Sequence, residues 1–209
     1  MCEKTVQRRF GRWPALLILC LFTLSCSAVL AGESGGDSPQ AVFEAAQAAG
    51  AQKDFAALAS LVAPTEQAML AFGTDMAVNM FVEFYEGENA EALKKKYQEI
   101  QDKYEIKSGS EDEGEKLEVT QDTPQEVIDE HIRKRAARLY GDVDAVKYVP
   151  DLMGIIVNMP EMAEQSFFPQ EALSELKIDG DIATGKAGDK EITFIRKDGR
   201  WYLSADVMN

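Results

Sequence analysis

Residues 190–206, KEITFIRKDGRWYLSAD, decide the fold. Ile192 and Phe194 alternate with Thr193, and Trp201, Leu203 and Ala205 alternate with Tyr202, Ser204 and Asp206. Between the two runs sits Asp198-Gly199, a pair that accepts the left-handed backbone a tight hairpin turn demands. The alternation continues upstream. Leu176 and Ile178 lead to an Asp179-Gly180 turn, and residues 182–186 form a short strand that turns at Ala187-Gly188-Asp189. Four antiparallel strands follow, each joined to the next, with one face against helices and the other open to water. The predicted class is α+β: N-terminal helices packed on a C-terminal antiparallel β-meander, with a largely helical middle.

The helices announce themselves by spacing and by caps. Ser38-Pro39 opens the first, which buries Val42, Phe43, Ala46 and Ala49 and stops at Gly50. Residues 54–62 form a second, ended by Pro64. From Thr65 to Tyr85, Met69, Phe72, Met76, Met80, Phe81 and Phe84 recur at helical spacing and read as a core stripe, while Leu70, Val78 and Val82 mark a second apolar side. Residues 89–106 carry Leu93, Tyr97, Ile100 and Tyr104 on one face. Thr123-Pro124-Gln125-Glu126 reads as a capping box opening a helix to Tyr140, and Pro150 divides the next helical run into two pieces. The polar stretch 107–122 reads as a surface loop, with Leu117 and Val119 available for a short strand.

At 45% hydrophobic residues the chain has enough apolar side chain for a sizeable core. Its 22 basic residues against 36 acidic ones give a net charge of −14, which repels nucleic-acid phosphates and anionic lipid headgroups; nucleic acid is set aside as a partner. All three cysteines, Cys2, Cys20 and Cys26, lie in the first 26 residues, so the body has neither an internal disulfide nor a thiolate nucleophile.

The N-terminus reads as an address. Lys4, Arg8, Arg9 and Arg12 precede the apolar run 14–31, the order of a secretory signal, and Val29-Leu30-Ala31 ends on a small residue suited to cleavage. Thr23-Leu24-Ser25-Cys26 resembles a lipobox, which makes Cys26 a candidate for lipid attachment. An uncleaved anchor is the third reading, and Arg8-Arg9-Phe10 hints at twin-arginine export. The domain plan is therefore a signal over residues 1–31, a flexible spacer over 32–38 and a single α+β domain over 39–209. Each reading places the body outside the cytoplasm, periplasmic or secreted, touching a membrane only through the N-terminal segment or a lipid on Cys26.

The exported start, the stretch SPQAVFEAAQAAGAQKDFAALASLVAP (38–64) and the closing ITFIRKDGRWYLS together resemble the nuclear-transport-factor-two-like (SnoaL-like) superfamily, in particular its small exported bacterial branch. The resemblance covers residues 38–64 and 171–206; the long helical middle departs from it. It implies an N-terminal helix pair, an acidic residue opening the second helix, set inside a curved sheet whose last hairpin carries Asp-Gly-x-Trp, here Asp198-Gly199-Arg200-Trp201. The superfamily holds enzymes, binding modules and accessory domains, so it implies no single activity.

Motifs for chemistry are sparse. The lone histidine, His131, sits on a polar helix beside Arg133, Lys134 and Arg135, where a solvated role suits it; the basic run reads as a face neutralised by nearby carboxylates, or else as a docking patch for an acidic partner. No metal-ligand spacing, Gly-rich phosphate loop or Gly-x-Ser-x-Gly elbow appears, so no metal or cofactor is expected. Tyr140, Tyr202 and Asp206 have suitable side chains but no spacing that gives them a role. The expectation is a non-catalytic envelope or secreted protein that binds a protein partner or a small apolar ligand. A ligand pocket is expected between the hairpin face bearing Trp201 and Leu203 and the helix bearing Met76, Met80 and Phe84. The alternatives are a small proton-transfer enzyme acting on a hydrophobic substrate and a structural lipoprotein.

Cleavage after Ala31 predicts that a clickable fatty acid labels the wild type and Cys26→Ala equally in a bacterial host. Label that disappears with Cys26→Ala would establish a lipid at that residue instead.

Overall fold

The computed structural model describes residues 34–106, 120, 122–157, 159, 162 and 165–205. The proposed signal, Cys26, nearly all of the polar stretch 107–122 and Asp206 lie outside the described residues. Six helices, α1 (Pro39–Gln52), α2 (Phe55–Ser60), α3 (Gln67–Phe84), α4 (Ala90–Lys103), α5 (Gln125–Tyr140) and α6 (Ala145–Ile156), precede four strands, β1 (Leu173–Asp179), β2 (Ile182–Ala187), β3 (Lys190–Lys197) and β4 (Arg200–Leu203). The strands form one antiparallel sheet in the order β1-β2-β3-β4, so the chain is α+β with a C-terminal meander.

The turn at Asp198-Gly199 has φ of 51° and 81°, the paired positive values of a tight two-residue hairpin turn, and it sets Lys197 opposite Arg200. That register lines Ala183, Phe194 and Leu203 across three strands on the core face. Small residues on β2 (Ala183, Gly185, Ala187) stand beside Phe194, Ile192 and Lys190 on β3, and the first two pairs interlock small with large. Helix α1 covers β4 and brings Val42, Phe43 and Ala46 into the same core.

The stretch 34–38, read from sequence as flexible spacer, is pinned to the sheet. Gly36 and Trp201 exchange two backbone hydrogen bonds of 2.8 Å, and Gly35, at φ 79°, passes so close to the Tyr202 ring that a β-carbon would stand 2.7 Å from it. Further along, Leu203 donates to Leu61 and accepts from Ala63, so the edge of β4 is closed by two segments.

The helix caps follow the sequence at two places. Ser38 Oγ accepts from Ala41 N at 3.1 Å, and Asp54 Oδ1 accepts from Ala57 N at 2.9 Å. Three expectations fail. Helix α1 does not stop at Gly50 but runs to Gln52, because Gly50 is buried against Phe168 and Lys53 supplies the left-handed cap at φ 55°. Thr123 does not cap α5; its Oγ1 accepts from Thr120 N, and the helix begins after Pro124. Helix α6 is unbroken through Pro150, because Tyr148 and Val149 before the proline and Leu152, Ile155 and Ile156 after it all lie in the core, and that packing outweighs the lost hydrogen bond.

The stripe chosen on α3 is also corrected. Its buried residues are Leu70, Ala71, Val78 and Val82; of the stripe, Met69, Phe72 and Phe81 pack half-buried against the core, whereas Met76, Met80 and Phe84 are 57%, 57% and 80% exposed. Helix α3 packs on α6, α5 and α4, and the small and β-branched residues of its inner face allow that close approach.

Two glycines separate packing from propensity. A β-carbon at Gly50 would stand 2.7 Å from the Phe168 β-carbon, whereas one at Gly154, inside α6, meets nothing within 4 Å. Gly154→Ala is expected to stabilise by about 0.5–1 kcal/mol through helix propensity. Gly50→Ala should destabilise by about 1–2 kcal/mol because overpacking exceeds the same gain. Midpoints of urea unfolding for the two variants check the opposite signs.

Candidate functional site

The inner row of α3 contains one residue that does not belong in an apolar core. Asp75 lies one turn from both Ala71 and Val78, half-buried between four helices. Its Oδ1 accepts from Tyr97 of α4 at 3.0 Å, from Tyr148 of α6 at 2.6 Å and from the Gln101 amide of α4 at 2.5 Å. Its Oδ2 accepts from Tyr140, the last residue of α5, at 2.7 Å. Gln101 also donates to the Tyr148 hydroxyl at 2.8 Å, so both of its amide protons are used. The rings extend the cluster: Tyr140 stands 5.9 Å from Tyr148 and 5.9 Å from Phe72, and Tyr104 meets Tyr148 edge-on at 4.9 Å.

Every donor to Asp75 is neutral. Among the described residues no lysine, arginine or histidine nitrogen lies within 4.0 Å of its carboxylate. Burial pushes Tyr97, Tyr140 and Tyr148 well above the usual phenol range, and the Asp75 carboxylate, by its charge and its hydrogen bond, pushes each further. All three therefore keep their protons and aim them at Asp75.

Over this network opens a cleft of about 390 Å³ between α3, α4 and α5. Asp75, Tyr97, Gln101 and Tyr140 form its polar floor. Phe72, Met76, Val82, Ile106 and Leu139 form its apolar wall. Glu83, Lys94 and Arg135 stand among the lining residues with opposite charges, and the Arg135 guanidinium lies 6.0 Å over the Phe72 ring.

The sequence-chosen site residues do not come together. Met76 lines the cleft, but Met80 and Phe84 lie beyond it on the exposed side of α3. Trp201 and Leu203 are 5% and 0% exposed, part of the core where β4 meets α1 and the 61–63 segment. The space expected between hairpin and helix is not what these residues form, since α3 turns that face outward. Of the residues singled out for their chemistry, Tyr140 belongs to the site and Tyr202 is buried in the sheet. His131 is partly exposed on α5. In the basic run, Arg133 pairs with Glu66 at 3.5 Å and Lys134 with Glu130 at 2.7 Å. Among the described residues no group of three His, Cys, Asp or Glu is disposed to hold a metal, and no helix is long and apolar enough to cross a membrane.

Sequence reasoning missed Asp75, Tyr97, Gln101 and Tyr148 as a set. One signal was present: Ala71, Asp75, Val78 and Val82 share a helical row, which sets a carboxylate among small apolar residues. No protein-family model, curated protein or solved structure matches the chain.

The network makes a prediction at high pH. For a tyrosine whose folded pKa lies above its unfolded value near 10, the stabilisation is complete below pH 10 and is lost as pH rises through the folded value. Stability should fall above pH 10 by about 1.4 kcal/mol per pH unit for each of the three tyrosines. Absorbance at 295 nm should show these tyrosines ionising only together with unfolding, and Tyr97→Phe should lower the slope by about one proton. Ionisation of all six tyrosines near pH 10 without loss of structure would contradict the network.

Proposed function

We propose that this chain is an exported, non-catalytic binding protein whose cleft between α3, α4 and α5 holds a small molecule with an apolar body. The observation that carries this reading is the cleft of about 390 Å³, with an apolar wall over a floor of fixed polar groups. The segment 1–31, with its basic start and apolar run, supports export. Kinship with the nuclear-transport-factor-two-like superfamily remains part of the proposal. It is supported by Asp54 opening α2, by α1 lying against β4 and by the Asp198-Gly199-Arg200-Trp201 turn.

Proton-transfer catalysis suits the geometry less well. A general base needs a lone pair facing its substrate; Oδ1 of Asp75 already takes three donors, which leaves only Oδ2, itself bonded to Tyr140. A tyrosine acting as general acid would have to withdraw its proton from that carboxylate.

A library of small apolar compounds, read by thermal unfolding, tests the binding reading. A true ligand at a hundredfold excess over its Kd stabilises by about 2.7 kcal/mol, a shift of several degrees for a chain of this size. Leu139→Trp, which fills the cleft, should abolish the shift while leaving the unliganded protein folded. Equal shifts in both proteins, or none in the wild type, would overturn the proposal.

A further inference from the structure

The floor of the cleft says what kind of head group its ligand carries. Tyr97 and Tyr140 each own one hydroxyl proton, and each donates it to Asp75. What these hydroxyls retain for a ligand is lone pairs. Oδ2 of Asp75 accepts one bond and has room for another, whereas Oδ1 is full. The amide protons of Gln101 are spent on Asp75 and Tyr148. The floor is thus a set of acceptors around a carboxylate, and no cation among the described residues lies within ion-pair distance of it. A carboxylate or carbonyl on a ligand would meet lone pairs and negative charge there.

The surroundings favour a positive charge over a neutral donor. A hydrogen bond from an ammonium ion to the Asp75 carboxylate is charge-assisted at both ends, and so stronger than one from a neutral hydroxyl or amide. Of the other charged lining groups, Arg135 already lies over Phe72, while Lys94 and Glu83 oppose each other in sign. The chain's net charge of −14 raises the local concentration of cations over anions. We propose that the ligand is an organic ammonium ion, its charged nitrogen seated between Asp75 Oδ2 and the hydroxyls of Tyr97 and Tyr140, and its alkyl portion against Phe72, Met76 and Leu139. This rests on the cleft being a binding site at all, and the experiment separates the two.

The purified chain, carrying 13C-methyl methionine, is titrated with four probes of one alkyl length: hexylammonium, 1-hexanol, N-hexylacetamide and hexanoate. Met76 reports from the cleft wall and Met80 from outside it. Hexylammonium should move the Met76 methyl signal saturably and leave Met80 in place. It should bind about tenfold or more tightly than hexanol or the acetamide, with hexanoate weakest. Asp75→Asn should remove that preference; should this variant fail to fold, the four-probe ranking on the wild type decides alone. Hexanol, the acetamide or hexanoate binding as tightly as hexylammonium would overturn the ammonium inference and leave the binding site standing. No movement of Met76 with any probe would overturn the site itself.

Discussion

A carboxylate that accepts four hydrogen bonds from three other helices governs the helical half of this protein. Asp75 receives Tyr97 and Gln101 from α4, Tyr140 from α5 and Tyr148 from α6, and it can do so only if α3 is rotated to bring residue 75 inward. That rotation carries Ala71, Val78 and Val82 inward with it and turns Met76, Met80 and Phe84 towards solvent. The alternative face would bury three large apolar side chains, worth about 1.5–3 kcal/mol each. It would also leave a tyrosine cluster around no acceptor, and each unsatisfied buried hydroxyl costs about 1–3 kcal/mol. Bonds to a charged acceptor contribute about 1.5–3 kcal/mol each, so four of them compete with the apolar stripe on equal terms. Packing then decides: small and β-branched side chains on the inner face let α5 and α6 approach where methionine and phenylalanine would hold them off.

That competition explains what could be read from the sequence. The Asp198-Gly199 turn and the alternation on β2 and β3 are local, and the structure repeats them, whereas β4 is buried on both faces and β1, with Leu176 and Ile178, is exposed on both. Ser38 and Asp54 cap their helices because a cap needs only a neighbour three residues on. The facing of α3 is not local. Both of its sides are apolar, so periodicity alone ranked the bulkier stripe first and placed a pocket on it. The partners of Asp75 lie 22 to 73 residues away on other helices, and nothing in the spacing of Tyr97, Tyr140 and Tyr148 marks them as convergent. Pro150 follows the same rule: a local helix breaker is overridden where Tyr148, Val149, Leu152, Ile155 and Ile156 all enter one core.

The sheet half is held differently. Residues 34–36 and 61–63 close the β4 edge, and Glu66, only 8% exposed, takes the Ser204 hydroxyl at 2.9 Å and the Ala205 N–H at 2.6 Å. Arg133 reaches the same carboxylate from α5 at 3.5 Å. The opposite edge, β1, stays exposed but is shifted in register between Ser174 and Lys177, with Glu175 at φ 51° and paired with Lys186. A bulged, charged edge resists the addition of a further strand. The meander is therefore a platform closed at its β4 edge, with Trp201 and Leu203 buried in the core.

The cleft between α3, α4 and α5 borders this network. Tyr97 and Tyr140 both hold Asp75 and line the cleft, so the groups a ligand would meet are already oriented by the packing of α3 to α6. Their rotamers are set by bonds made during folding, and little side-chain freedom remains to be lost on binding. The same bonds confine what the site can do. Tyr97 and Tyr140 already give their protons to Asp75, so what the arrangement presents to the cleft is the second carboxylate oxygen and the hydroxyl lone pairs. Stability of the helical half and the polar lining of the cleft thus draw on one residue, Asp75.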